Sequence, residues 1–279
     1  MRRGLAFHAG MTLVGAVVLV WLLFPLYHIV VVSLKSWDEL FEPTIWPLDA
    51  TLQNYVTVVR QEHFFVRQFW RQLSNSARVA GLTTALVLVV SSLASFAISR
   101  LRFAGSRWVS GMALFTYIIP ASFLAIPFYR IMAGYGLLNT HTALVAAMVT
   151  FTAPYALWVL SEYARAIPRE LDEAAAIDGA GPAGLFARIY VPLLLPALAA
   201  IGTYAFIFAW NEYLYAFLLL SDERTVTLPV AMSFFLATDD SPWNLLMALC
   251  ILYSIPPVVL YYLFRRYLVE GLFTGSVTQ

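Results

Sequence analysis

The sequence predicts an all-α integral membrane protein with six transmembrane helices, and three observations predict it. Hydrophobic residues make up 61% of the 279 and charged residues only 12%, against roughly 45–50% and about 25% in an average soluble domain. Six apolar stretches are each long enough to cross about 30 Å of hydrocarbon at about 1.5 Å per residue. The arginines gather in alternate connections between these stretches, as they do in short cytoplasmic loops.

The predicted spans run over about 11–34, 76–99, 108–133, 140–160, 193–220 and 243–264. The first follows Arg2 and Arg3 but is too long for the apolar region of a cleaved signal peptide, and no small-x-small site closes it, so it reads as a retained span. Placing the N-terminus inside puts ten arginines on the cytoplasmic side: Arg2, Arg3, Arg100, Arg102, Arg107, Arg165, Arg169, Arg188, Arg265 and Arg266. Lys35, Arg60, Arg67, Arg71 and Arg224 then lie outside. This imbalance sets both termini in the cytoplasm. Within the spans, Pro25, Pro120, Pro127, Pro154, Pro196, Pro256 and Pro257 each remove a backbone donor, which predicts kinks of the kind found in transporters.

The connection 161–192, SEYARAIPRELDEAAAIDGAGPAGLFARIYVP, is soluble in character. Pro168 suits a first helical turn, and Glu170, Asp172 and Glu173 place carboxylates at the positive end of the helix dipole, so a helix is predicted over about 169–177. Gly179 and Gly181 permit the left-handed backbone that ends a helix, and Pro182 suits the start of another. Ala174, Ala175 and Ala176 beside Ile177 give the first helix a compact surface able to dock in a groove of another protein.

In this loop Glu173, Ala174, Ala175, Gly179, Ile189 and Pro192 fit the pattern EAA, three residues, Gly, nine residues, Ile-x-Leu-Pro, with Val191 in place of Leu. The pattern resembles the cytoplasmic loop of the permeases of binding-protein-dependent ABC importers. Further blocks, TLQNY from Thr51, NSARVAGLTT from Asn75, SRLRFAG from Ser99, WNEYLYAFLLL from Trp210, TLPV from Thr227 and RRYLVEGLFTGSV from Arg265, extend the likeness over most of the chain. The resemblance is to the carbohydrate-uptake subclass, in particular the second permease of maltose, sugar and glycerol-phosphate-type systems. It implies a type I ABC importer permease fold in one transmembrane domain, in the bacterial inner membrane, with the loop acting as a coupling helix. Glu173, Ala174, Ala175, Asp178, Gly179, Ile189 and Pro192 would then couple to an ATPase, and Gly271, Phe273 and Gly275 of the tail 265–279 would also contact it. The implied partners are a second homologous permease, a dimer of ATP-binding subunits and a solute-binding protein. The chain has no motor of its own: a phosphate-binding loop needs a lysine after a glycine, and the single lysine, Lys35, follows Leu34. ATP and Mg would be bound by the partner, and no cofactor is expected in this chain.

Glu212 is the acidic residue within a predicted span, and a charge at membrane depth costs about 2.5–3.5 kcal/mol on insertion scales unless it faces protein or water. Trp210, Asn211 and Tyr215 around it combine flat aromatic faces with amide and hydroxyl groups suited to a sugar. On a continuous helix Glu212 and Tyr215, and Asn211 and Tyr215, would share a face. These four residues form the candidate solute path; the other reading is that Asn211 and Glu212 pair with a neighbouring helix or the sister permease near the outer half of the span. A self-sufficient secondary carrier, with Glu212 coupling to an ion, is the alternative function. Other classes find no support. A net charge of +1 without a basic run excludes a nucleic-acid surface. His8, His28, His63 and His141 lack metal-site spacing, and Cys250 is alone. No His-Glu metal motif, no paired span-centre carboxylates and no nucleophile-base arrangement mark an intramembrane enzyme.

Overall fold

The computed structural model describes residues 2–101, 105–237 and 240–274, with side chains except at 2–6, 9, 107 and 268–274. The regular elements described are helical: α1 (Arg2–Ser33), α2 (Gln53–Arg60), α3 (Phe69–Arg100), α4 (Ser106–Phe115), α5 (Ala125–Gly134), α6 (His141–Ala166), α7 (Glu170–Ile177), α8 (Pro182–Leu185), α9 (Val191–Leu193), α10 (Leu195–Trp210), α11 (Leu214–Leu219), α12 (Leu228–Ser233) and α13 (Trp243–Thr274). A π turn, Phe186–Tyr190, joins α8 to α9.

Four stretches are long and apolar enough to cross a membrane: Gly10–Ser33, Phe64–Arg100, His141–Ala166 and Trp243–Tyr267. The number becomes six if two bent pairs each count as one span. Trp108–Ile118 and Ala121–Gly134 meet at 86°, and Pro182–Leu193 and Leu195–Trp210 at 76°. Both bends occur at proline. Pro120 has no N–H to donate and forces the residue before it out of the helical region, so Ile119 is extended at φ −85° and ψ 115°. Pro196, at the start of α10, cannot donate to the carbonyl of Pro192 one turn earlier. Pro25, Pro154, Pro256 and Pro257 lie inside helices that run on past them, so these prolines do not break their spans.

The chain divides into two compact units, Met1–Trp70 with Ala231–Ile255, and Arg71–Val230 with Pro256–Gln279. In the first, α1 exposes apolar side chains on all sides, from Leu13 to Leu26. A helix apolar all round needs lipid or another chain about it. The end of α1 is tied by polar bonds: Asn54 Nδ2 donates to the carbonyls of Ser33 (2.8 Å) and Lys35 (2.9 Å), Asn244 Nδ2 donates to Lys35 (3.2 Å), and the buried Lys35 ammonium donates to the carbonyl of Glu42 (2.6 Å).

In the second unit α3, α6 and α10 pack through Val87, Phe96, Ala156, Leu160, Ala164, Tyr190, Leu194, Ala197, Ile201 and Ala205. Four alanines, Ala156, Ala164, Ala197 and Ala205, stand among the larger side chains; where lipid is as apolar as the helices, close van der Waals packing drives association and small residues permit it. Gly202 is one such place: a Cβ there would stand 3.3 Å from Leu88 Cδ1. Buried hydroxyls add bonds within the packing, Ser91 to the carbonyl of Ala153 (3.2 Å) and Ser95 with Tyr190 (2.9 Å).

Candidate functional site

The soluble-looking loop folds as its sequence dictates. Glu170, Asp172 and Glu173 occupy the first turn of α7. Gly179 sits at φ 80°, the left-handed backbone that a side chain disfavours. Gly181 is extended at φ −74° and ψ 174°, so the turn uses one left-handed glycine rather than two, and Pro182 opens α8. Glu173, Ala174, Ala176, Asp178 and Gly179 are exposed, and Ile177 projects with 87% of its surface open. Ala175 is buried against its own chain. Ile189 lies half-buried in the π turn and Pro192 is exposed in α9.

One residue outside the sequence motif holds this loop. The guanidinium of Arg100, at the end of α3, is 4% exposed and stands 3.1 Å from the carboxylate of Asp172, itself 23% exposed. Its Nη2 also donates to the carbonyl of Ile167 (3.1 Å). A charge-assisted pair inside protein is stronger than a neutral hydrogen bond, and the tertiary bond could not be read from spacing because the partners lie 72 positions apart.

At the far end of α10 the continuous helix expected around Glu212 does not form. α10 stops at Trp210, Asn211 caps it by donating Nδ2 to the carbonyl of Ile207 (2.9 Å), and α11 starts at Leu214. Glu212 Oε1 accepts from the backbone N–H of Tyr215 (2.7 Å), which caps α11 with a carboxylate at its positive end. The expected shared faces are therefore absent. Tyr215 is 2% exposed, its hydroxyl donates to the carbonyl of Ala121 (2.7 Å), and its ring packs on Phe151 and Phe128 at 5.0 and 5.7 Å. It braces the segment just after the Pro120 bend. Trp210 is 1% exposed and stacks on Phe206 at 5.4 Å. Of the four residues expected along a solute path, Asn211 and Glu212 reach open surface, while Trp210 and Tyr215 are buried.

A better lined surface lies elsewhere in the same unit. Tyr204 on α10 shares a hydrogen bond with Tyr117 (3.1 Å), its ring lies 4.9 Å from Tyr155 on α6, and Trp158 follows Tyr155 at 6.3 Å. Phe208 continues the row at 6.0 Å from Tyr204. All five side chains are partly open. Trp158 also lines a cavity of about 830 Å³ with Ser99, Ser106, Ser110, Glu162 and Arg165. Residues 155, 158, 162 and 165 recur at the spacing of one face of α6, the signal by which sequence could have found them.

Gly271 and Phe273 fall in the last turn of α13, of which the backbone is described; Gly275 lies outside the described residues. Among the described residues no three His, Cys, Asp or Glu side chains converge as a metal site.

The model of the family described as "Binding-protein-dependent transport system inner membrane component" matches residues 87–273. The chain is 32% identical over 275 residues to the inner membrane ABC transporter permease protein YcjP of Escherichia coli, covering 98% of this chain and 96% of that one. It is 33% identical over 271 residues to the trehalose/maltose transport system permease protein MalG of Thermococcus litoralis, covering 95% of each. It is 29% identical over 279 residues to the diacetylchitobiose uptake system permease protein DasC of Streptomyces coelicolor, covering 99% of each. Among solved structures, a chain of a bacterial ABC transporter involved in import of the acidic polysaccharide alginate shares the fold at a TM-score of 0.83 and 22% identity, over 96% of this chain and 98% of that one. A chain of the bacterial alginate ABC transporter in complex with an alginate pentasaccharide-bound periplasmic protein superposes at a TM-score of 0.69 and 15% identity, over 94% and 93%.

Proposed function

The chain belongs to the family of binding-protein-dependent transport system inner membrane components, and from that premise we propose that it conducts a sugar, polyol or related polar solute inward as one of two permeases. It is a multi-pass inner-membrane permease of an ATP-driven importer, and ATP is hydrolysed by a separate subunit. A periplasmic binding protein feeds it.

The observation that supports the rest most directly is the exposed tip of the α7 loop. Ile177 presents an apolar side chain almost wholly open at the end of a short helix, beside Glu173, Ala174 and Asp178. A short helix that leaves an isoleucine in water is stabilised by a groove that covers it. An ATPase subunit supplies that groove, one for this chain and one for the partner permease, so the motor is a dimer. The loop faces the cytoplasm, and both termini lie on the same side by the arginine count. Gly271, Phe273 and Gly275 extend the contact to the motor. The solute moves along Tyr117, Tyr155, Trp158, Tyr204 and Phe208, whose ring faces suit sugar C–H groups and whose hydroxyls suit sugar hydroxyls.

Relatives named for trehalose and maltose, and for diacetylchitobiose, support a sugar as the solute. Reconstitution tests the whole reading. Proteoliposomes holding both permeases and the ATPase subunits should take up the sugar carried by the co-purified binding protein only with ATP inside. Uptake by this chain alone on an ion gradient would overturn it.

A further inference from the structure

α3 is a 32-residue helix without a proline, and both of its ends grip a loop. Near its start, Asn75 Nδ2 donates to the carbonyls of Arg224 (2.9 Å) and Val226 (3.0 Å), and Ser76 Oγ accepts from the N–H of Leu228 (3.0 Å). At its last residue, Arg100 holds Ile167 and Asp172 at the head of the α7 loop. The stem that leaves that loop meets the same helix: Phe96 packs edge-on against Phe186 and Tyr190 at 5.3 and 5.1 Å, and Ser95 bonds the Tyr190 hydroxyl. From Asn75 to Arg100 is about 37 Å of unbroken helix. Both stems of one loop and the base of the other are therefore attached to a single stiff element.

We propose that α3 is a strut joining the loop 221–228, on the binding-protein side, to the coupling helix on the ATPase side, with Arg100 the positioning residue at its inner end. The inference rests on the function proposed above for the two faces. Arg100 suits the role because its guanidinium is buried and makes two separate contacts, one with the loop's backbone at Ile167 and one with the carboxylate of Asp172 in its first helical turn. A displacement of α7 is thus transmitted to α3 rather than absorbed by a flexible side chain. The bonds at Asn75 and Ser76 then carry it to the opposite loop. Two sites coupled through one element should each feel a change at the other.

Hydrogen exchange in the intact complex of both permeases and the ATPase subunits tests this, with ATP and orthovanadate as the probe. In the wild type, adding the probe should change exchange at residues 167–180 and also at 221–228. In Arg100→Gln the response at 221–228 should fall about fivefold or more, the low end of measured coupling between sites. Exchanging the charges, Arg100→Asp with Asp172→Arg, should restore it. A full response at 221–228 in assembled Arg100→Gln overturns the strut, as does an assembled charge exchange that fails to restore it. If the exchanged pair does not assemble, Asp172→Asn, at a partly open position, decides in its place: loss of the distant response supports the strut and its retention overturns it. A wild-type response confined to 167–180 also overturns it. A wild-type complex unresponsive at both loops instead counts against the proposed function.

Discussion

The loop 221–228 and the loop around α7 are both short connections of the same compact unit, yet they are held by different chemistry. The first receives hydrogen bonds from several elements, and within it the Asp222 carboxylate accepts from the N–H of Arg224 (2.7 Å). Asn139, itself left-handed at φ 61°, accepts on Oδ1 from the N–H groups of Ser221 and Asp222 (3.1 Å each) and from Thr225 Oγ1 (2.6 Å). His141 Nε2 lies 2.8 Å from the carbonyl of Thr225, and Asn75 and Ser76 close the far side. The α7 loop has one buried ion pair at its head, aromatic packing at its exit and an open tip. Many modest bonds make a surface that stays as built, whereas a single strong pair at the root leaves the tip free to follow a partner. The difference fits a permease that receives a binding protein on a fixed face and takes motion from a motor on the other.

Removing the hub of the locked loop should have the largest effect. Asn139→Leu deletes one acceptor serving three donors and puts a branched side chain on left-handed backbone, a local cost of about 2–4 kcal/mol. Thermal unfolding of the detergent-purified chain should fall, and exchange at residues 221–227 should rise more than at 167–180. Asn139→Gly keeps the backbone conformation and loses the bonds, so it should recover part of the loss. Equal rises at both loops would erase the contrast between them.

At the α7 loop, Gly179→Ala should cost about 1–2 kcal/mol of local backbone strain. Among the described residues no neighbouring atom lies within 4 Å of the added Cβ, so the strain is conformational rather than steric. Melting should change little while ATP hydrolysis uncouples from uptake. Glu173→Lys, at an exposed site, should uncouple in the same way without touching the fold. Normal uptake and normal stimulation of ATP hydrolysis in both variants would remove the loop from the coupling path.

Much of this was legible in the residues. The spans at α1, α3, α6 and α13 follow from long apolar runs, and α7 from its carboxylates, Gly179 and Pro182. Kinks at Pro120 and Pro196 were among those expected, but which of the seven prolines would break a span was not legible, because a proline's local cost of about 3 kcal/mol does not say whether the surroundings offset it. The half-buried Pro154 in α6 and the exposed Pro25 in α1 both lie in helices that continue, while at the exposed Pro120 the helix turns by 86°, so exposure alone does not decide the outcome. That Tyr215 and Trp210 are buried was not legible either, because aromatic rings that suit a sugar suit a protein interior equally well. Tyr215→Phe separates the two roles. It should cost about 1 kcal/mol from the lost bond to Ala121, seen as lower melting with uptake unchanged once protein amount is matched.

The smallest effect concerns Glu212, where the carboxylate is the helix cap of α11. In Glu212→Gln the amide oxygen can still accept from the N–H of Tyr215, so only the charge–dipole term is lost, about 0.5 kcal/mol or less for so short a helix. Uptake by the reconstituted complex and its dependence on ATP should then be nearly wild type. Glu212→Ala removes the acceptor as well and leaves a buried N–H without its partner, so it should impair uptake more than Gln does. The pair of variants is a direct probe of the alternative in which this residue carries a coupling proton. A proton carrier must change its charge in each cycle, and glutamine cannot, so that mechanism requires Gln and Ala to be equally inactive. Graded loss, with Gln close to wild type, identifies the oxygen of residue 212 as a hydrogen-bond acceptor that shapes the break between α10 and α11, and leaves the driving force with the ATPase.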